Sequence, residues 1–429
     1  MMVIALSFLF LFFLLIIGIP VAISLAISGA LGIFLTNGID VLLGILSASP
    51  GSALTTYELL TIPMFILMSE FMGVSGITGS LFSAIAKWTD KIQGGVGIAA
   101  VVTGAAFGAI SGSSTAAAAT LGKISTPAMQ AEGYSPKMAG SIAAISGTIA
   151  MLIPPSVALI FYGLLSGVSI SDLLIAGIVP GILVTLTIAI TIKILIIRNP
   201  VASNNKTYSF REKLTALKVA TPFLMLFSVV TGLIYTGIAT PVESSALGAL
   251  GALLLALKSG NLNAEAFKNA VINTCCISAM IGLIVVCAHV FGYFITMTGI
   301  TRNLVNYVGL LDVSPYLILF FLVILYLVLG LFLDLISILI LTIPVVLPVV
   351  VSLGFDPIWF GVIVILLAEI GIVTPPVGMN VFVVAKVANV PVEELFSGVI
   401  PYIVMLLGLI ALLIAFPQIV LWLPSTAMY

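Results

Sequence analysis

Charge is what this sequence lacks most. Of its 429 residues only 7% are Asp, Glu, Lys or Arg, whereas 62% are hydrophobic and the mean hydropathy is +1.37. A water-soluble domain carries about a quarter of its residues as charges to solvate its surface. That class is excluded, and the chain reads as an integral, polytopic membrane protein whose solvent is the bilayer. Histidine is nearly absent as well, with His289 the only one. The three cysteines, Cys275, Cys276 and Cys287, share one apolar stretch without the spacing of metal ligands, so they read as packing residues. The net charge of -1 hides an uneven placement of charges, so neither a nucleic-acid partner nor an acidic substrate is read from it, and no nucleic-acid partner is expected. The first apolar run, 1–19, has neither a positively charged start nor a small-residue cleavage site, which predicts a retained span and not a signal peptide.

What is abundant is apolar runs of membrane-spanning length, punctuated by Gly, Pro and the few charges. They predict an all-α fold with spans near 3–19, 20–36, 56–76, 138–166, 172–197, 219–239, 242–257, 270–296, 357–388 and 395–423. Two shorter pairs, 92–131 and 313–353, have two arms each around a polar or acidic tip, and are predicted to be re-entrant hairpins.

Residues 133–180 match 354–401 without a gap at an offset of 221, so that Gly133 falls on Gly354, Pro154-Pro155 on Pro375-Pro376 and Pro180 on Pro401. Two halves of one design follow, 1–197 and 219–429, joined by a polar linker over 198–218 that is expected on the cytoplasmic side. Five spans per half, an odd number, turn the second half upside down relative to the first, as in an inverted repeat. In that layout every one of the 14 Lys and Arg residues except Arg302 falls on or towards one side, which the positive-inside rule makes the cytoplasm. Both termini are then periplasmic.

A backbone break at mid-membrane survives only where it is buried or lines a wet site. Each half carries two. The first has the tip Ser111-Gly112-Ser113-Ser114-Thr115 and the break Ile153-Pro154-Pro155-Ser156 within span 138–166. The second has Asp334 to Ser337 and, within span 357–388, Thr374-Pro375-Pro376-Val377-Gly378-Met379-Asn380. Paired prolines free carbonyls in the middle of a span, and freed carbonyls with short hydroxyls are the hard oxygen ligands a small cation takes. The expectation is one sodium cage per half, tip against break, built from Ser111, Gly112, Ser113, Ser114, Ile153 and Pro154 in the first and Asp334, Ser337, Thr374, Pro375 and Gly378 in the second. A carboxylate substrate between the tips would meet Ser114, Thr115, Ser156 and Asn380 and the positive ends of the return arms. No organic cofactor is called for. The alternative for Gly/Ser-rich tips is close helix packing alone.

Glu70 and Glu369 lie within spans, where an ionisable group points to function: Glu369 precedes a break, where it would tune a cation site, whereas Glu70 reads equally as neutral and hydrogen-bonded. Ser113 with His289 could form the dyad of an intramembrane serine protease, a reading that the duplicated tips oppose. Ser80 to Gln93, and its counterpart Thr301 to Asp312, are amphipathic and expected to lie in the interface, as anchors or as arms carrying each hairpin.

The run Phe107-Gly108-Ala109-Ile110-Ser111-Gly112-Ser113-Ser114, Gly133-Tyr134, Ile153-Pro154-Pro155-Ser156, Thr240-Pro241-Val242-Glu243 and Thr374 to Asn380 together resemble the large membrane subunit of the tripartite ATP-independent periplasmic (TRAP) transporters. The resemblance covers nearly the whole chain. It implies an elevator-type fold with a scaffold and a moving part, location in the bacterial inner membrane, and sodium-coupled uptake of a carboxylate such as a C4-dicarboxylate or sialic acid. It also implies two partners, a periplasmic substrate-binding protein and a small four-helix membrane subunit on a separate chain. A carrier that needs no binding protein remains the alternative within transport.

Overall fold

In a computed structural model the chain is described over residues 2–198, 200–201, 208–310 and 313–427. Lys206 and Asp312, and so parts of the expected linker and outer amphipathic arm, lie outside these. The first half runs α1 (Met2–Ile16), α2 (Val21–Asn37), α3 (Ile39–Leu54), α4 (Thr61–Val74), α5 (Ile77–Trp88), α6 (Gly95–Ser111), α7 (Ser114–Ala131), α8 (Pro136–Gly147), α9 (Val157–Ser166) and α10 (Ile170–Arg198). The second runs α11 (Phe210–Tyr235), α12 (Pro241–Ser259), α13 (Ala264–Thr298), α14 (Ile300–Leu310), α15 (Pro315–Gly330), α16 (Leu335–Ser352), α17 (Pro357–Gly371), α18 (Met379–Ala388), α19 (Val392–Ala415) and the short α20 (Gln418–Leu421). Among the described residues six helices are individually long and apolar enough to cross a bilayer.

Local signals set the helix ends. Pro136, Pro241, Pro315 and Pro357 each open a helix at its first turn, where the missing N–H is no loss. Thr240 and Glu243 close a reciprocal capping box at the start of α12, and Ser209 and Glu212 do the same for α11. The hairpin expected over 92–131 is α6 and α7, and that over 313–353 is α15 and α16. The spans 138–166 and 357–388 are each interrupted, α8 from α9 and α17 from α18.

One helix went unread. The stretch between the second and third expected spans is α3, because Ser47, Ser49, Pro50 and Gly51 look like loop chemistry while an apolar neighbour completes the helix. In the second half the same position is taken by one continuous helix, α13, of 35 residues. The cysteines need a correction: Cys287 is buried, but Cys275 and Cys276 are exposed, on a face of α13 turned away from its helix neighbours.

The halves interlock. Helices α2, α3 and α4 pack on α12 and α13, forming one group, while α6 to α10 form a second group with α15 to α19. Within the second group the return arm of each hairpin lies on the far segment of the other half's broken helix, α7 on α18 and α16 on α9.

The start of α11 is fastened to the end of α5. Lys213 Nζ lies 2.5 Å from Asp90 Oδ1, the Tyr208 backbone N–H donates to Asp90 Oδ2 at 2.9 Å, and Trp88 Nε1 donates to the Lys213 carbonyl at 3.1 Å. The hydrogen bond from Lys213 holds the Asp90 carboxyl below the usual aspartate range. A depressed pKa adds stability above the unfolded value near 4 and loses it as pH falls through the folded one. Asp90→Asn should therefore lower Tm at neutral pH, and its difference from the unaltered chain should shrink as pH drops below about 4; a Tm difference that ignores pH would show that the ion pair does not contribute.

Candidate functional site

The first tip forms because Gly112 takes a left-handed conformation at φ +54, which an L side chain resists, and Ser113 then caps α7 by accepting from the Ala116 N–H at 3.3 Å. Ser111 Oγ donates to the Ser113 carbonyl at 3.3 Å. Ser114 opens α7 and is buried, with Thr115 half-buried beside it. At the second tip Asp334 plays the part of Ser113: its carboxylate accepts from the Ser337 backbone N–H at 3.3 Å and from the Ser337 hydroxyl. The two caps are related by the offset of 221, and so are Ala116 and Ser337.

The outgoing arm of each hairpin touches the turn just before a break. Gly108 lies against the Ala150 backbone, and Gly330 lies so near Gly371 that a Cβ on it would stand 2.9 Å from the Gly371 Cα. Ala150 and Gly371 are themselves matched at 221. Small residues here are what let tip and break meet.

At the first break Ser156 caps α9, accepting from the Leu159 N–H at 3.2 Å while its hydroxyl donates to the Met151 carbonyl. Pro154, Pro155 and Ser156 are buried and Ile153 half-buried. At the second break Thr374 Oγ1 donates to the Ile370 carbonyl at 2.6 Å, and Gly378, at φ +50, turns the chain into α18. Pro375, Pro376 and Val377 are exposed there, so the second break is open where the first is closed. Among the described residues no hydrogen bond reaches the carbonyls of Leu152 to Pro155 or of Ile372 to Val377. A cavity of about 20 Å³ lies between the second tip and its break, lined by Gly330 to Leu333 on one side and Ile372 and Val377 to Met379 on the other. That is room for one body of water or small-ion size.

Asn380 is fully buried in α18, and neither its amide oxygen nor its nitrogen has a partner. Glu369 is buried at the end of α17, and Ser114 is the polar side chain beside its carboxylate. The sequence points to Glu369 as an ionisable group preceding a break, where it would tune a cation site, but gives no sign that it lies beside the other half's tip. Glu70, half-buried, is 3.5 Å from Asn273 Nδ2. His289 is half-buried on α13, and no hydrogen bond joins it to Ser113. Among the described residues no group of three or more His, Cys, Asp or Glu is placed to hold a metal ion. The ligands on offer are hydroxyls, freed carbonyls and single carboxylates, the oxygen set that suits a hard cation.

Residues 8–419 match the family described as "Tripartite ATP-independent periplasmic transporter, DctM component". The chain belongs to this family. This DctM-family chain is 32% identical to the sialic acid TRAP transporter large permease protein SiaM of Vibrio cholerae over 409 residues, covering 95% of each. It is 32% identical to the C4-dicarboxylate large permease DctM of Pseudomonas aeruginosa, covering 86% of each, and 31% identical to the ectoine large permease TeaC of Halomonas elongata, covering 96% of this chain and 97% of that one. Its fold is similar to that in the crystal structure of the Alcanivorax borkumensis YdaH transporter, with a TM-score of 0.65, 17% identity and 90% of each chain covered. It is accordingly a multi-pass membrane permease subunit, of a family whose large permeases carry varied small solutes.

Proposed function

We propose that this chain carries a small organic acid across the bacterial inner membrane in symport with sodium, with both termini periplasmic and its halves inverted. The observation that supports this best is the duplicated meeting of tip and break: Ser113 and Asp334 cap matched return arms, each hairpin touching matched turns at Ala150 and Gly371. One sodium cage forms at each meeting, from Ser111, Gly112, Ser113, Ser114, Ile153 and Pro154, and from Asp334, Ser337, Thr374, Pro375 and Gly378. The freed carbonyls and the small cavity at the second break are of the right chemistry and size.

The substrate sits between the tips, near Ser114, Thr115, Ser156 and Asn380. Four helices, α7, α9, α16 and α18, begin at the tips and breaks, and their N-terminal ends attract an anionic group. The relatives' solutes fit that chemistry, for sialic acid, C4-dicarboxylates and ectoine all bear a carboxylate. Substrate arrives from a periplasmic binding protein, and a small four-helix membrane subunit completes the complex. Movement of the second helix group against the first, hinged on α5 and α14, gives alternating access of the elevator kind.

The test is uptake into proteoliposomes containing the chain with the small membrane subunit and binding protein encoded beside it. An inward sodium gradient should drive accumulation that a sodium ionophore abolishes. Accumulation indifferent to the gradient would overturn sodium coupling, and undiminished uptake without the binding protein would favour the self-sufficient carrier.

A further inference from the structure

The two halves differ in charge at their tips. Asp334 at the second tip falls on Ser113 at the first, so the first tip carries a hydroxyl where the second carries a carboxylate. A ligand set without a full charge holds a hard cation more weakly than one that has it. Glu369 marks the other divergence: at the same offset it falls on Thr148, a neutral residue. Its carboxylate is 1% exposed, and its polar neighbour is the hydroxyl of Ser114, which is 2% exposed. Gly147 lets the end of α8 and the return arm meet at Ser114, since a Cβ on it would stand 2.6 Å from the Ser114 carbonyl oxygen. Among the described residues no ion pair joins Glu369 to a basic side chain. A carboxylate out of water without a counter-charge is strongly unfavourable, and either a proton or a bound cation relieves it.

We propose that Glu369 is the charged ligand of the first cation site, supplied across the pseudo-repeat by the second half. This rests on the sodium-cage reading above. Each tip then works with one carboxylate, Asp334 at the second and Glu369 at the first. Both charges are encoded in the second half, and the first site is complete only when the end of α17 is seated beside the start of α7. A cation bound there ties one half's hairpin to the other half's broken helix, so occupancy of the site and closure of that seam are one event.

Sodium binding to the purified complex tests this apart from transport, by 22Na+ stoichiometry and by sodium-dependent thermal stabilisation with potassium as control. Glu369→Gln, which keeps shape and polarity, should bind one sodium fewer per chain than the unaltered protein, with the remaining site's half-saturation changed by less than about twofold. Asp334→Asn should remove the other sodium, and the double variant both. If Glu369→Gln does not fold, Glu369→Asp replaces it: the charge is kept but withdrawn by one methylene, and half-saturation at one site should weaken about tenfold. Full stoichiometry and unchanged half-saturation in the Glu369 variant, while Ser113→Ala weakens one site and Asp334→Asn removes the other sodium, would overturn the assignment and leave the cages standing. An unaltered protein that binds no sodium would overturn both.

Discussion

Asp334→Ala is expected to raise the sodium needed for half-maximal uptake by about ten- to a hundredfold, because a charge within a few ångströms of a cation in a partly screened site contributes about 1.5–3 kcal/mol. Part of any loss would come from the cap, since Asp334 also accepts the Ser337 N–H, and a lost cap destabilises a helix by about 1 kcal/mol. Asp334→Asn separates the two, for the amide oxygen still caps while the charge is gone. Ser113→Ala should act in the same direction more weakly, by about fivefold, as one neutral ligand is worth about 1 kcal/mol. Uptake measured over graded external sodium gives all three values. Curves that superimpose on that of the unaltered protein would leave the tips without a role in sodium binding.

The second large effect is steric. Gly330 and Gly371 bring tip and break together backbone to backbone, and a Cβ built on Gly371 would meet the Gly330 main chain, with its carbonyl carbon 2.6 Å away. Neither partner is the flexible end of a side chain, so one segment must withdraw. Gly371→Ala should destabilise the seam by about 1–3 kcal/mol, the usual penalty of overpacking, lower Tm, and abolish most uptake by prising apart the lining of the second cavity. Gly354→Ala, where a Cβ would meet nothing within 4 Å but φ is +87, supplies the contrast: backbone strain without loss of the seam. If Gly371→Ala transports normally while its Tm is unchanged, the close approach is not required.

Much of this architecture is written in local residue patterns. The hairpins and broken helices announce themselves because Gly112, Gly378 and the two Pro-Pro pairs interrupt apolar runs that would otherwise continue, and because the same interruptions recur 221 residues later. Helix α3 escaped notice since its Ser, Pro and Gly residues have loop chemistry, and only contact with α2 and α13 makes helix the better outcome. The exposure of Cys275 and Cys276 escaped for a related reason: in a helix hydrophobic all round, composition does not tell which face meets a neighbour. Glu369 beside Ser114 was illegible because no short-range pattern relates residues 255 positions apart, and the repeat itself misleads, predicting symmetry where the halves have diverged.

The crosswise packing of α7 on α18 and of α16 on α9 means that each hairpin takes part of its support from the other half. A primordial gene encoding a single copy of the unit could have made these contacts only by dimerising, each subunit lending its broken helix to its sister. Fusion into one polypeptide then freed the two copies to specialise, which is how acidic residues could accumulate on one side of the partnership and still serve both.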